Sequence, residues 1–242
     1  MRIAIMQPYY LPYIGYFQLM SAVDVFVVYD NIQFTKKGWF HRNRILYQGK
    51  DRMFSIPISK GSTSLDVRDR TISGLFIKQR GKYMEWIRQS YGNAPFFKEV
   101  YPIVMDCFYF ERSHNLFDFI FNSLGIMKDF LNIKCSMVVS STLPIDHSKK
   151  SQEKVISICR HTKTDLYINP IGGLGLYSSE KFKESGVDLR FLKTKNLTYK
   201  QFSETFVPNL SILDVLMFNS KEQMAILLND FDLFSKEGAE NE

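Results

Sequence analysis

Arg2-Ile3-Ala4-Ile5-Met6, then Gln7-Pro8-Tyr9-Tyr10-Leu11-Pro12-Tyr13-Ile14-Gly15-Tyr16-Phe17, then Asp24-Val25-Phe26-Val27-Val28-Tyr29 is the stretch that decides the fold. The two short apolar runs read as buried strands, and residues 15 to 23 between them read as a short helix. A strand-helix-strand unit this compact implies a parallel pair. In open α/β sheets ligands bind outside the carboxyl ends of the strands, so the working surface belongs where these two strands end.

Both strand ends open into loops rich in hydrogen-bonding side chains. Gln7 is polar at the end of a buried strand, and Pro8 and Pro12 stiffen the loop that follows by fixing φ and pushing their predecessors toward extended backbone. Tyr10 and Tyr13 are candidate ligand contacts there, against the plainer reading that these tyrosines cover the sheet edge. After the second strand come Asp30 and Gln33, then Lys37, Trp39, His41, Arg42, Asn43 and Arg44, expected in a loop. Arg42 and Arg44 offer planar forks for phosphate or carboxylate, and Trp39 a face on which a base or sugar ring can stack. A salt bridge from Asp30 to Arg42 or Arg44, pinning the loop, is the structural alternative. His41 is a candidate general base because an ordinary imidazole titrates near neutrality.

Further along, residues 53 to 58 read as a strand, 78 to 92 as a helix and 100 to 124 as one long helix ending at Gly125. This is a mainly helical insertion at about 78–130 in a single α/β domain spanning 1–242. Residues 135 to 140 read as a strand, 152 to 161 as a helix, 165 to 169 as a strand, 179 to 185 as a helix and 187 to 192 as a strand. That alternation predicts a mostly parallel sheet covered by helices, Rossmann-like in class. Residues 211 to 231 read as helix, and 237 to 242 as an acidic, frayed tail. The glycine-rich turn at Asn169, Gly172, Gly173 and Tyr177 follows a strand, so its backbone could approach a phosphate, although a tight strand-to-helix turn explains the glycines equally. Tyr199, Gln201, Asn209, Ser211 and Asp214 form a polar series close to the last helix, with Ser211 read as its cap rather than as a nucleophile.

Composition narrows the rest. Forty-five per cent hydrophobic residues support a substantial core, while no window approaches an uninterrupted membrane span, so no membrane insertion is expected. The N-terminus lacks a signal-peptide pattern, which predicts a cytoplasmic protein. Cys107, Cys135 and Cys159 are too few and too scattered for a disulfide framework, and the four histidines show no metal-ligand spacing, so no metal site is called for. A net charge of +6 with 15% aromatics suits an anionic small molecule, ranked above nucleic acid because the basic residues are dispersed.

The motifs Gln7-Pro8-x-Tyr10-Leu11-Pro12-x-x-Gly15-Tyr16-Phe17, Asp30-x-x-Gln33-Phe34, Gly38-Trp39-x-x-Arg42-Asn43, Tyr91-x-x-Ala94-Pro95-Phe96-Phe97, Tyr167-Ile168-Asn169-Pro170-x-Gly172-Gly173, Tyr199-x-Gln201 and Phe206-x-Pro208-x-Leu210-Ser211-Ile212-Leu213-Asp214 together resemble the WbqC-like family. The resemblance covers nearly the whole chain. It implies a role in bacterial O-antigen, lipopolysaccharide or other surface-polysaccharide biosynthesis, as a glycine transferase that joins an amino acid to the amino group of a nucleotide-linked deoxyamino sugar. On that basis Asp30 or His41 would take the proton of the attacking amine, and Lys37, Arg42 and Arg44 would hold the pyrophosphate. No cofactor is firmly implied; the activated aminoacyl donor could be an aminoacyl-tRNA, a carrier or an ATP-derived adenylate. Two other classes stay open: a non-catalytic nucleotide-sugar or glycan-binding protein, and a tRNA or nucleic-acid-binding protein. The aromatic helical block could equally pack on a copy of the chain, giving a homo-oligomer. A fold analogy to nucleotidylyltransferase-like domains stops at Tyr13-Ile14-Gly15-Tyr16, which has the glycine of an HxGH signature but no histidine.

Overall fold

In a computed structural model, residues 1–240 are described. Positions 241 and 242 of the acidic tail lie outside the described residues. β1 (Arg2–Met6), α1 (Ile14–Ser21) and β2 (Val25–Val28) form the expected unit, followed by β3 (Arg42–Tyr47), β4 (Lys50–Ser55), α2 (Gly74–Tyr91), α3 (Phe97–Phe108) and α4 (Leu116–Phe130). Then come β5 (Ser136–Val139), α5 (Ser151–His161), β6 (Leu166–Pro170), α6 (Ser179–Glu184), β7 (Asp188–Thr194), α7 (Ile212–Phe218), α8 (Lys221–Leu227), β8 (Phe231–Phe234) and α9 (Lys236–Glu240). The main sheet has six strands in the order β5-β2-β1-β6-β7-β8, parallel except for β8.

β1 lies at the centre, with Ile3 opposite Val25 on one side and Tyr167 on the other. Its residues 3 to 5 are buried on both faces, as a strand between two helical layers requires. Val155, Ile158 and Cys159 of α5 and Phe182 of α6 close one face. The other face is covered by α1 and α7, beyond which a core of aromatic rings from α2, α3 and α4 extends outward. Tyr10 is stacked on Phe119 at 5.0 Å in that core, with Phe54 and Phe108 edge-on to it.

Four expectations about elements need correction. Arg42, Asn43 and Arg44 are not in a loop but open β3, whose hairpin with β4 turns at Gln48 (φ 51°) and Gly49 (φ 75°). The pair of left-handed residues matches the twist of a two-residue hairpin, and Gly49 supplies one of them without strain. The strand expected at 53 to 58 is therefore β4, shifted back to Lys50–Ser55. The single helix expected at 100 to 124 is two, because Asn115 caps α4 by accepting from the amides of Phe117 (2.8 Å) and Asp118 (3.2 Å). Residues 211 to 231 hold α7 and α8, broken at Ser220 by a capping box with Gln223, and Phe231 begins the antiparallel edge strand β8.

Candidate functional site

The chain order reverses direction between β1 and β6, since β2 and β5 extend the sheet to one side and β7 to the other. A crevice forms at such a switch point beyond the carboxyl ends of the strands. Gln7 leaves β1 there, half-buried, with its Oε1 accepting from the Tyr9 hydroxyl at 2.9 Å. Asp30, two residues past β2, is buried. Its Oδ1 accepts from the Ser140 hydroxyl (2.8 Å) and the Ser141 amide (2.9 Å) at the end of β5. Its Oδ2 accepts no hydrogen bond among the described residues, which leaves one carboxylate oxygen free to take a proton or hold an amine.

The Ser140 Oγ also lies 2.7 Å from Asn31 Oδ1, an alternative acceptor for its one proton. Asn31 Nδ2 donates to His147 Nδ1 at 3.0 Å while His147 Nε2 faces the Leu143 carbonyl at 2.9 Å. That pattern fixes the ring proton on Nε2. Ser140 and His147 were not singled out from the sequence, because nothing local marks a serine and a histidine 110 and 116 residues from their partners.

Across Gln7 and Tyr9 lies a second lobe. Tyr9, Pro12, Tyr13, Trp39, Asn43, Arg44 and Asn209 enclose a cleft of about 220 Å³. It adjoins one of about 480 Å³ that shares Tyr13 and Asn209 and is lined further by Thr194, Lys195 and Tyr199. Trp39 stands exposed between two guanidinium groups, Arg42 at 5.5 Å and Arg44 at 5.6 Å from its ring centroid. Arg44 donates to Asp51 and to the Asn209 carbonyl, each at 3.3 Å, and its buried Nε has no partner. Arg42 instead braces its own loop, donating from Nε to the Gly38 carbonyl at 3.0 Å and from Nη2 to that of Lys37. The alternative ion pair from Asp30 to Arg42 or Arg44 is not formed.

Other residues expected to touch a ligand are committed elsewhere. Tyr10 is fully buried, its hydroxyl donating to the Cys107 carbonyl at 3.3 Å, so no ligand reaches it. Asn43 is buried and its Nδ2 ties down the Tyr10 (3.1 Å) and Leu11 (2.6 Å) carbonyls, where Leu11 is left-handed at φ 45°. Asp214 is buried under three donors: the Tyr91 hydroxyl at 2.9 Å, the Tyr199 hydroxyl at 2.6 Å and Gln201 Nε2 at 2.6 Å. Burial raises its carboxyl above the usual range even though those bonds pull the other way. This pillar joins α2, α7 and the 199–207 loop and orients Tyr199 at the cleft. Gln33 and Lys37 are exposed, Gln33 donating to the Thr63 carbonyl at 2.8 Å.

His41 sits half-buried against Phe34, with Arg42 and Arg70 near it, and its imidazole is pushed down to about 4, chiefly by burial and then by those charges. Burial and the two arginines thus oppose the imidazolium that His41 would become as a general base. At the end of β6, Asn169 accepts from the Tyr167 hydroxyl at 3.1 Å, and that hydroxyl lies 3.2 Å from the hydroxyl of Tyr177. Gly173 is needed there, since a Cβ would stand 2.0 Å from Asn169 Nδ2, whereas Gly172 and Gly175 face open space. The cysteines are buried and unpaired, with burial pushing the Cys135 thiol up to about 11 and that of Cys159 to about 12.

Sheet order, switch point and a two-lobed polar edge define an α/β protein of the doubly wound, Rossmann-like class. Residues 7–226 match the model of the WbqC-like protein family, and the chain belongs to that family. It is similar to the uncharacterized protein Rv1507c of Mycobacterium tuberculosis (strain ATCC 25618 / H37Rv), with 27% identity over 221 residues that cover 90% of this chain and 93% of that protein. No solved structure matches. Among the described residues no helix is long and apolar enough to cross a membrane.

Proposed function

We propose that the protein transfers an aminoacyl group, of glycyl type, to the amino group of a nucleotide-linked deoxyamino sugar during assembly of a bacterial O-antigen or other surface polysaccharide. The observation that carries this reading is Asp30 Oδ2, free of hydrogen bonds where β2 ends, on a protein that also offers the Trp39–Arg44 cleft. An acceptor amine attacks only when neutral: as its nitrogen bonds to the acyl carbon, the acyl bond to the tRNA, carrier or AMP breaks and that group leaves with the electron pair, so a carboxylate within reach of the amine's proton is the group the reaction needs. The cleft supplies an aromatic face for a sugar or base and an unpartnered guanidinium donor for a phosphate oxygen. Asp30 takes the role of base in preference to His41 because taking a proton neutralises a carboxylate, whereas it would make His41 a cation packed on Phe34 beside Arg42 and Arg70. Tyr13, Arg44, Asn209 and Tyr199 line the acceptor's path, and Arg42 acts through the loop that carries Trp39.

The test is turnover. Nucleotide-linked 3-amino and 4-amino deoxysugars are incubated with glycyl-tRNA, a glycyl carrier or glycine with ATP, and the amide product is sought by mass spectrometry. A mass gain of one glycyl residue on an amino sugar supports the reading. Tight binding of the nucleotide sugar with no product from any donor replaces it by the binding-protein reading.

A further inference from the structure

α5 starts at the same carboxyl edge of the sheet, and its start is unfinished. Its N-cap, Lys150, makes no side-chain capping bond, and the amides of Ser151, Gln152 and Glu153 donate to nothing among the described residues. Ser151 is left-handed at φ 49°, so the amides of Gln152 and Glu153 are the ones that carry the positive end of the helix dipole. Lys154 follows them, only 4% exposed. Side chains on a helix lean toward its N-terminus, so the lysine stem runs back along that open turn. Its Nζ lies 4.7 Å from the centroid of Tyr29, the residue just past β2, and has neither a hydrogen bond nor a carboxylate within ion-pair distance among the described residues.

A nearly buried ammonium with only a ring face for company is costly. Arg70, the other well-buried cation, differs: it donates to the carbonyls of Ser62 (3.0 Å) and Ser59 (3.2 Å). Asp30 and Asp66 attract Lys154 from beyond pairing distance and Arg68 opposes them. Asp30 meets Ser140 and Ser141 through Oδ1 alone, so its Oδ2 offsets part of the lysine's charge without pairing with it, and Asp66 lies 4.0 Å from Arg68. The glycine-rich turn is tied alongside, because the Ser178 amide donates to Gln152 Oε1 at 2.6 Å.

We propose that Lys154 and the open first turn of α5 bind a phosphate group of a ligand lying in the switch-point crevice. Helix amides supply directed donors and the lysine supplies the charge. The site is separate from the Trp39–Arg44 cleft. It rests on the function proposed above only for which ligand brings the phosphate: the diphosphate of the nucleotide sugar, or the phosphate of an aminoacyl adenylate.

The experiment is a titration of the ¹⁵N-labelled full chain with inorganic pyrophosphate, AMP and a nucleotide-linked amino sugar, followed by amide NMR. Saturable shifts at residues 151–153 are expected with pyrophosphate. Lys154→Met is expected to weaken pyrophosphate at least about tenfold at that position, the loss of one charged contact, while Arg44→Met leaves it unchanged. Shifts confined to 39–44, or none at 151–153 in the unaltered protein, overturn the proposal whether or not Lys154→Met folds. Movement of 151–153 together with the Trp39 indole by the nucleotide sugar assigns the phosphate to the acceptor; movement by AMP alone assigns it to the donor. If pyrophosphate moves 151–153 while no nucleotide sugar binds, the site stands and the function proposed above falls.

Discussion

Asp30 is anchored through one carboxylate oxygen and idle through the other, an arrangement that separates structure from chemistry at a single side chain. In Asp30→Asn the amide oxygen still accepts from Ser140 and Ser141, so folding is preserved while the proton acceptor is lost. Turnover is expected to fall by roughly 10²- to 10⁴-fold, the usual worth of a general base, with the melting temperature close to that of the parent. Activity within about threefold of the parent would remove Asp30 from the chemistry. Asp214 is the opposite case, a carboxylate whose three donors make it structural. Asp214→Ala leaves buried hydroxyls without an acceptor and is expected to cost about 3 kcal/mol in urea denaturation.

The raised carboxyl of Asp214 also has a pH consequence. Its folded pKa lies above the unfolded value, so the native state binds the proton more tightly. The stability this confers is complete below about pH 4, the unfolded value, and is lost as pH rises through the folded value. The margin of the parent over Asp214→Asn is therefore expected to shrink as urea midpoints are measured from acid toward neutral pH. A margin that widens instead would mean the carboxylate is favoured, not penalised, by its site.

At the scale of elements, α1 is decided by one close approach. A Cβ on Gly15 would stand 2.4 Å from the Tyr13 ring and 2.6 Å from Thr194 Oγ1, at the floor of the cleft. Gly15→Ala must push Tyr13 outward or lift α1 from β7, at about 1–3 kcal/mol for overpacking. Binding at the cleft should weaken along with stability, which calorimetric titration beside a thermal melt can resolve. That glycine was visible in the sequence, as was the whole β1-α1-β2 unit, because apolar runs and prolines act locally. β8 and β3 were not, and β4 was read three residues late. Phe231-Asp232-Leu233-Phe234 follows a helix without a glycine or proline to end it, and β4 begins with the charged run Lys50-Asp51-Arg52 and buries only Phe54. Nor could sequence separate Asn43 and Tyr10, which hold the loop, from Trp39 and Arg44, which face the cleft, since burial is set by packing from α3 and α4.

At the scale of the molecule, the parallel sheet sends its carboxyl ends to one edge, and the residues with chemistry to offer gather there in two lobes on either side of Gln7 and Tyr9. Ligand binding to that edge must raise stability by mass action. At a concentration of a hundred times the dissociation constant the gain is about 2.7 kcal/mol, which in a chain of this length raises the melting temperature by roughly 5–10 °C. Trp39 contributes little to the core because it is exposed, so Trp39→Ala is expected to keep the unliganded melting temperature and lose most of the shift caused by a nucleotide-linked amino sugar. The net charge of +6 offers a rival account, in which the edge receives the backbone of a tRNA. The two diverge with salt. Binding that neutralises many phosphates falls steeply as salt rises, whereas a diphosphate held at one lobe against an aromatic face loses far less. A shift that survives 200 mM salt in the parent and vanishes in Trp39→Ala would tie recognition to the ring and the small ligand, and a steep salt slope indifferent to Trp39 would tie it to nucleic acid.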